Sequence, residues 1–144
     1  MYETILVPTD GSEPALEAAR HAVSLAAALD ATVHALFVAN AAAEAIAAST
    51  AVVSDADEAL VEEGREATAE VADLAADAGV DCRTAVLDGV PYETILDYAD
   101  DHEVDCLVVG THGRTGLEHA VLGSTTERVV RRSPVPVVTV YSNN

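Results

Sequence analysis

The sequence predicts one α/β domain, built on a mostly parallel β-sheet with helices packed on both of its faces. Five short apolar runs, rich in β-branched residues and bounded by polar ones, have the character of buried strands. Stretches with helical periodicity lie between them, and strands that alternate with helices in this way form parallel sheets covered on both sides. The 144 residues contain no internal repeat and no linker, so we expect a single domain over residues 1–144.

The sequence predicts five strands, and a connecting segment joins each strand to the next. They are Thr4–Val7, Thr32–Val38, Cys82–Leu87, Cys106–Val109 and Val135–Val140. Runs as short as these suit strands better than helices. The segment Asn40–Ser54 has small residues with little periodicity, and we expect a mobile loop or a short irregular helix there.

The first two helices are predicted from periodicity and from their end signals. The first spans Ser12–Asp30, where Ser12 can act as the N-cap and Pro14 suits the first turn. The second covers about Asp55–Ala78 and stops at Gly79, because glycine readily adopts the left-handed conformation that ends a helix.

The last two helices are predicted from their first residues. Pro91 opens the third. The fourth begins at residues 124–127, whose sequence Ser-Thr-Thr-Glu has capping-box spacing with Ser124 as the cap. Arg131 and Arg132 fall in the last turn of this helix, where positive charge complements the helix dipole.

The net charge of the chain argues against one class of partner. It has 25 acidic residues against seven basic ones, all of them Arg, and a formal net charge of -18. Nucleic-acid binding needs clustered cations, so this acidity argues against a nucleic-acid partner. A lysine-free, acidic and alanine-rich composition is typical of proteins from halophilic archaea, in which concentrated salt screens the self-repulsion. An ordinary acidic bacterial protein remains the alternative.

The sequence predicts neither export nor membrane insertion. Residues Met1–Pro8 lack a basic region followed by a long apolar core, so we interpret them as a strand and not as a signal peptide. No apolar run approaches the ~20 residues that a membrane span requires. Cys82 and Cys106 have no metal-type spacing and are interpreted as reduced thiols, which fits a cytoplasmic protein.

A glycine-rich turn from Gly110 to Thr125 follows the fourth predicted strand. Glycines have no Cβ to keep backbone amides away from an anion, and the N-terminus of the next helix adds unpaired N–H groups and a favourable dipole. Ligands of open α/β sheets bind outside the carboxyl ends of the strands, and this turn follows the carboxyl end of the fourth one. The turn therefore predicts a polyphosphate site, although it is not a P-loop, which needs a Lys that this chain lacks.

The spacing G-x2-G-x9-G-S-T of this turn resembles the nucleotide-binding motif of the universal stress protein family, in its ATP-binding branch. The resemblance covers nearly the whole chain, from the opening Ile5–Ser12 to the closing Val135–Val140. It implies an open five-stranded parallel sheet in the order 3-2-1-4-5, of the adenine nucleotide alpha hydrolase-like type. It also implies ATP at the switch point between strands one and four, where ADP or AMP would share most contacts.

The same resemblance implies which residues bind the nucleotide. Pro8, Thr9 and Asp10 would line the first-strand side, with Asp10 near the ribose and the Mg2+ that bridges the phosphates. Val38 would meet the edge of the adenine. The other implied residues lie on the glycine-rich turn: Gly110, Thr111, His112, Gly113, Arg114, Gly123, Ser124 and Thr125.

Several of these residues have simpler interpretations that stay open at this stage. Ser124 could only cap the last helix, and Asp10 could only cap the first helix or hold the turn at Gly11. Arg114 could form a surface ion pair instead of meeting a phosphate. The remaining histidines have no metal-type spacing and are interpreted as surface or packing residues: His21, His34, His102 and His119.

The implied function is that of an ATP-binding stress-response or signalling protein with an unknown downstream partner. No activated nucleophile, arginine finger or water-positioning glutamine can be assigned, so ATP hydrolysis is expected to be slow. A true enzyme, such as an ATPase or phosphotransferase, and a nucleotide-free adaptor or chaperone are the alternatives. The resemblance also implies a homodimer through the last strand, Pro136–Tyr141.

Overall fold

The computed structural model describes residues 2–40, 53–111 and 123–141, in which five strands alternate with four helices. The strands are β1 (Thr4–Pro8), β2 (Thr32–Ala39), β3 (Cys82–Asp88), β4 (Cys106–Gly110) and β5 (Val137–Val140). The helices are α1 (Glu13–Leu29), α2 (Val53–Asp77), α3 (Pro91–Asp101) and α4 (Ser124–Arg132). All the predicted strands and helices are therefore confirmed. Residues 41–52, which hold most of the segment Asn40–Ser54, lie outside the described residues.

The strands form one parallel sheet in the order β3-β2-β1-β4-β5, which confirms the predicted order. β1 lies at the centre, with Ile5 opposite Val33 of β2 on one side and opposite Cys106 of β4 on the other. The chain first builds outward through β2 and β3 and then returns past β1 to β4. The strand order therefore reverses between β1 and β4, and a crevice opens there at the carboxyl ends of the strands.

Local capping explains where α1 begins and ends. The N-cap is Ser12, whose side-chain oxygen accepts a hydrogen bond from the amide of Ala15 at 3.3 Å. Asp30 ends the helix in the left-handed conformation, with φ 57°. The buried face of α1 is nearly all alanine: Ala15, Ala18, Ala19, Ala22, Val23 and Ala26. These small side chains let the helix lie close to the sheet.

The central strands of the sheet bury side chains on both faces, because successive residues of a strand point to opposite sides. Ile5 and Val33 belong to the core under α1 and α2. Leu6 and Leu36 belong to a second core under α3 and α4. Helices on both faces thus account for the nearly continuous apolar runs of the central strands.

β5 begins two residues later than the sequence predicts. Ser133 forms a tight turn with Val135: its hydroxyl donates to the Val135 carbonyl at 2.8 Å and accepts from the Val135 amide at 3.1 Å. Pro136 has no N–H to donate to the ladder. Its carbonyl accepts from the amide of Leu107 at 2.9 Å, and strand pairing starts at Val137.

Both cysteines are free thiols, as the sequence predicts. Cys106 is buried in β4 and Cys82 is half-buried in β3. Burial raises the pKa of both thiols, so neither is a ready thiolate nucleophile. Within the described parts of the chain, no helix combines the length and the apolar character needed to cross a bilayer.

His34 of β2 is buried under α3, with 7% of its surface exposed. Its Nδ1 lies 2.7 Å from the hydroxyl of Tyr98, and the ring of Tyr98 stacks on His102 with centroids 3.8 Å apart. Burial, and then the charges of His102 and Arg83, lowers the pKa of His34 below its ordinary value of 6.5. The structure therefore makes His34 a packing residue whose neutral form is favoured.

We predict that His34 makes the protein less stable as the pH falls below 6.5. The unfolded chain takes up the proton at an ordinary histidine pKa, whereas the folded chain resists it until a lower pH, so acid favours unfolding in that window. His34→Gln should flatten this part of the pH dependence, measured by urea unfolding in high salt. His21→Gln, which removes an exposed histidine, is the matched control. An unchanged slope in His34→Gln would contradict the prediction.

Candidate functional site

A cavity of about 310 Å³ opens at the carboxyl ends of β1, β2 and β4, where the strand order reverses. Its volume is at the lower end of the range common for small-ligand pockets. The residues around it come from these strands, from the turns that follow them and from three helices: Pro8, Thr9, Asp10, Ala15, Leu36, Val38, Pro91, Ile95, Val109, Gly110, Gly123, Ser124, Thr125, Thr126 and Val129.

The turn after β1 is held by hydrogen bonds to its own side chains. Thr9 is buried, its amide donates to the carbonyl of Leu36 at 2.8 Å, and its Oγ1 accepts from the amide of Gly11 at 3.2 Å. Oδ1 of Asp10 accepts from the amide of Ser12 at 3.0 Å. Asp10 therefore shapes the turn that leads into α1, and it also lines the cavity.

Gly110 ends β4 at the cavity, where α1 passes close to the sheet. A Cβ built on Gly110 would lie 2.8 Å from the carbonyl oxygen of Pro14, closer than real Cβ atoms approach such an atom. The missing side chain thus permits the contact between α1 and β4, whether or not a ligand is bound. The carbonyl of Gly110 also accepts a hydrogen bond from Oγ1 of Thr126 at 2.8 Å, which ties the start of α4 to the end of β4.

Helix α4 begins at the cavity with no side chain capping it. Its N-cap is Gly123, with φ -59° and ψ 155°. The prediction of Ser124 as the cap is therefore wrong, because Ser124 is already the first helical residue. The amide of Glu127 makes the first hydrogen bond within the helix, to the Gly123 carbonyl at 2.9 Å, so the three amides before it have no acceptor in the helix.

The rest of the lining is mostly apolar. Leu36 and Val38 come from β2, Ile95 from α3, Val109 from β4 and Val129 from α4. These elements are distant along the chain, so the apolar wall forms only when the helices pack on the sheet. A cavity with such a wall, beside helix amides that have no acceptor within the helix, suits a ligand with one apolar part and one anionic part.

A sequence model of the universal stress protein family matches residues 1–141. The chain belongs to this family. Universal stress protein MJ0531 of Methanocaldococcus jannaschii is 39% identical over 140 residues, which cover 97% of this chain and 82% of that protein. Universal stress protein YxiE of Bacillus subtilis is 31% identical over 147 residues, which cover 97% of this chain and 99% of that protein.

Solved structures share the fold of this universal stress protein. The structure of hypothetical protein MJ0577, the subject of a structure-based assignment of biochemical function, has a TM-score of 0.84 at 32% identity and covers 100% of this chain and 99% of its own. MJ0577 is a universal stress protein of the same Methanocaldococcus species. A universal stress protein solved in complex with cAMP has a TM-score of 0.70 at 29% identity, covering 97% of both chains.

The cavity brings together most of the site residues that the family resemblance implies. Eight of them line it: Pro8, Thr9, Asp10, Val38, Gly110, Gly123, Ser124 and Thr125. Thr111 is buried beside them, where its amide donates to the Val140 carbonyl at 3.2 Å and its carbonyl accepts from the Gly123 amide at 2.7 Å. The other three, His112, Gly113 and Arg114, lie outside the described residues.

Pro91, Ile95 and Thr126 line the cavity of this universal stress protein without having been predicted there. The side chains of Pro91 and Ile95 are apolar, and only the packing of α3 on the sheet brings them to the site. Thr126 did offer a signal, since a hydroxyl in the first turn of a helix can hydrogen-bond a neighbouring backbone group. Its partner, Gly110, lies 16 residues away and could not be chosen from local spacing.

We predict that Gly110→Ala lowers the free energy of unfolding by about 1–3 kcal/mol, because the added methyl group is forced against the backbone of Pro14. The larger side chain of Gly110→Val should cost more. Urea unfolding without nucleotide measures both effects. If Gly110→Ala has the wild-type free energy of unfolding, α1 can move away from β4 without cost, which would contradict the tight contact between them.

Proposed function

We propose that this universal stress protein binds an adenine nucleotide, ATP or its relatives ADP and AMP, in the cavity between β1 and β4. One observation carries the proposal: amides at the start of α4 without an acceptor in the helix lie beside an apolar wall in the same cavity. The bound nucleotide then sets the conformation or the assembly of the protein, which a stress-response or signalling partner recognises.

In this proposal the start of α4 holds the phosphates. The amides of Ser124, Thr125 and Thr126 precede the first hydrogen bond of the helix, and the helix dipole adds roughly half a positive charge at this end. The hydroxyl of Ser124 is not used for capping and can donate to a phosphate. In a chain with a net charge of -18, such local donors are what attracts an anion. Gly113 and Arg114 complete the phosphate side as predictions from the family motif.

The apolar wall holds the adenine, with Val38 at its edge and Gly110 beside the ribose and the phosphates. Leu36 and Ile95 offer the aliphatic surface that a flat purine packs against. The relative in complex with cAMP supports this assignment, since cAMP combines adenine, ribose and phosphate. The predicted contacts of Thr111 and His112 with the nucleotide remain predictions.

Asp10 binds the Mg2+ that accompanies the phosphates in this proposal. Among the described residues that line the cavity, it alone carries a carboxylate. Mg2+ in nucleotide sites commonly takes one or two carboxylates together with phosphate oxygens and water. The described residues contain no cluster of three or more His, Cys, Asp or Glu suited to a metal. The ion therefore arrives with the nucleotide, whose charge it neutralises.

Hydrolysis is slow or absent in this proposal. In the described part of the lining, Asp10 is the only titratable side chain, and its Oδ1 already accepts from the amide of Ser12. Activation of a water needs a group placed to orient it, and in this proposal the carboxylate of Asp10 is already engaged by the turn and by Mg2+. A slow ATPase or phosphotransferase would instead turn nucleotide over, and a nucleotide-free adaptor would bind none.

The protein acts in this proposal as a homodimer through Pro136–Tyr141, in the salt-rich cytoplasm of a halophilic archaeon. β5 is an edge strand that pairs only with β4 within the described chain, and Tyr141 beyond it is 58% exposed. Open strand edges favour pairing with another chain. Light scattering during size-exclusion chromatography tests the assembly, and a monomer at every concentration and salt level would contradict it.

Mass spectrometry of small molecules released from protein purified in high salt tests the nucleotide. We expect an adenine nucleotide in near-equimolar amount, or, if the protein is purified empty, a heat signal for ATP in calorimetry. Absence of both would favour the nucleotide-free adaptor. Steady release of phosphate from ATP in a coupled assay would favour the enzyme.

We predict that Gly123→Asp lowers ATP affinity at least tenfold while leaving the fold intact. The backbone of Gly123 has angles that any residue adopts, and a carboxylate there would accept from the α4 amides and repel phosphate. Stability should change by only a few tenths of a kcal/mol.

Gly123→Asn is the matched control, because it caps the same amides without the negative charge. It should weaken ATP binding less than Gly123→Asp, and the difference between the two should shrink in high salt. Calorimetry with ATP measures both variants. If Gly123→Asp binds ATP as tightly as the wild type, the phosphates do not lie at these amides.

A further inference from the structure

Tyr92, in the first turn of α3, lies next to two guanidinium groups of α4. Cζ of Arg128 is 5.2 Å from the centre of the Tyr92 ring, and Cζ of Arg132 is 4.8 Å from it. Both distances are within the range in which a cation is attracted to an aromatic face. The two arginines are one helical turn apart, so one ring joins a whole side of α4 to the start of α3. We call Tyr92, Arg128 and Arg132 the Tyr92 clamp.

The arginines of the clamp differ from their neighbour in what they contact. Arg131 forms an ion pair with Glu127 on the same helix. Within the described residues, neither Arg128 nor Arg132 forms an ion pair, although the chain carries 25 acidic residues. The Tyr92 ring attracts both guanidinium groups without neutralising them. Two positive charges are thereby kept on the helix that begins at the cavity.

Among the described residues, few other contacts hold helix α4 in place. It has nine residues, too few for a helix that is stable by itself, and Val129 is its only buried residue. The hydrogen bond from Thr126 to Gly110 fixes its first turn. The contacts of Tyr92 therefore help to fix the direction of the remaining turns against α3, together with Val129, which is buried in the core shared with α3.

The two helices joined by the clamp form two walls of the same cavity. Pro91, directly before Tyr92, and Ile95 line it from α3, while Thr125 and Val129, on either side of Arg128, line it from α4. A change in the spacing of the two helices would therefore move the first amides of α4, which have no acceptor within the helix, relative to the apolar wall. Arg128 lies one turn from Ser124, at the end of the helix where an anion is favoured.

We propose that the Tyr92 clamp positions α4 for nucleotide binding and keeps the positive charge of Arg128 one turn from the start of that helix. The inference rests on the proposed function, since it assigns the phosphates to the start of α4. Tyr92, Arg128 and Arg132 act as positioning residues and need not touch the nucleotide. An aromatic contact suits an acidic protein, because it holds arginines without a carboxylate that would cancel their charge.

Calorimetry with ATP on the full-length chain tests the clamp through four variants. Tyr92→Leu removes the aromatic face, and Arg132→Gln removes one cation; each should weaken ATP binding about three- to tenfold. Tyr92→Phe keeps the face and should bind like the wild type, since the hydroxyl donates to the exposed Glu93 and, among the described residues, to no group of α4. Arg131→Gln makes the same change of charge on the same helix outside the clamp and should also bind like the wild type.

Hydrogen exchange of the α4 amides, measured in protein without nucleotide, tests whether the clamp orders α4 independently of the ligand. Exchange should be faster in Tyr92→Leu and Arg132→Gln and unchanged in Tyr92→Phe. If the wild type binds no nucleotide, the proposed function fails, and with it the assigned role of the clamp; exchange then shows whether the clamp still orders α4. ATP affinity in Tyr92→Leu and Arg132→Gln equal to that of the wild type would overturn the inference. Equal losses in Arg131→Gln and Arg132→Gln would also overturn it, because net charge alone would then explain them.

Discussion

The reversal of strand order between β1 and β4 is the constraint on which the rest of the molecule depends. The chain leaves β1 for β2 through α1, on the face that α2 also covers, and it reaches β4 and β5 through helices on the opposite face. Connections that leave on opposite faces cannot both cover the ends of β1 and β4, so a crevice remains between them. The topology thus creates the cavity, and the side chains decide what can enter it.

Charge is distributed in this molecule on two scales. Over the whole chain it is strongly negative, with a formal value of -18. At the cavity, the start of α4 presents amides without an acceptor in the helix, and the arginines of the Tyr92 clamp, on the same helix, form no ion pair within the described residues. Because screening by salt weakens long-range repulsion more than contacts at hydrogen-bond distance, local donors can attract an anion to an acidic protein in concentrated salt.

The start of α4 shows where a local pattern misleads. Residues 124–127 have the spacing of a capping box, which indicates Ser124 as the N-cap. The cap is Gly123 instead, and its amide bonds the carbonyl of Thr111 at 2.7 Å. The hydroxyl of Thr126 bonds Gly110, at the end of a strand and 16 residues away. Both contacts join residues far apart in sequence, so a rule based on neighbouring residues could not include them.

Sequence by itself determined the strands, the helices and the edge of the sheet that carries the cavity, because apolar periodicity and end signals such as Ser12 and Gly79 are local properties. The strand order and eight of the fifteen described lining residues followed from the resemblance to a known family. Only the tertiary structure decided that Gly110 is needed for the approach of α1, that Ile95 completes the apolar wall and that Tyr92 joins α3 to α4. Each of these depends on the distance between two elements, which arises from packing and leaves no periodic mark in the sequence.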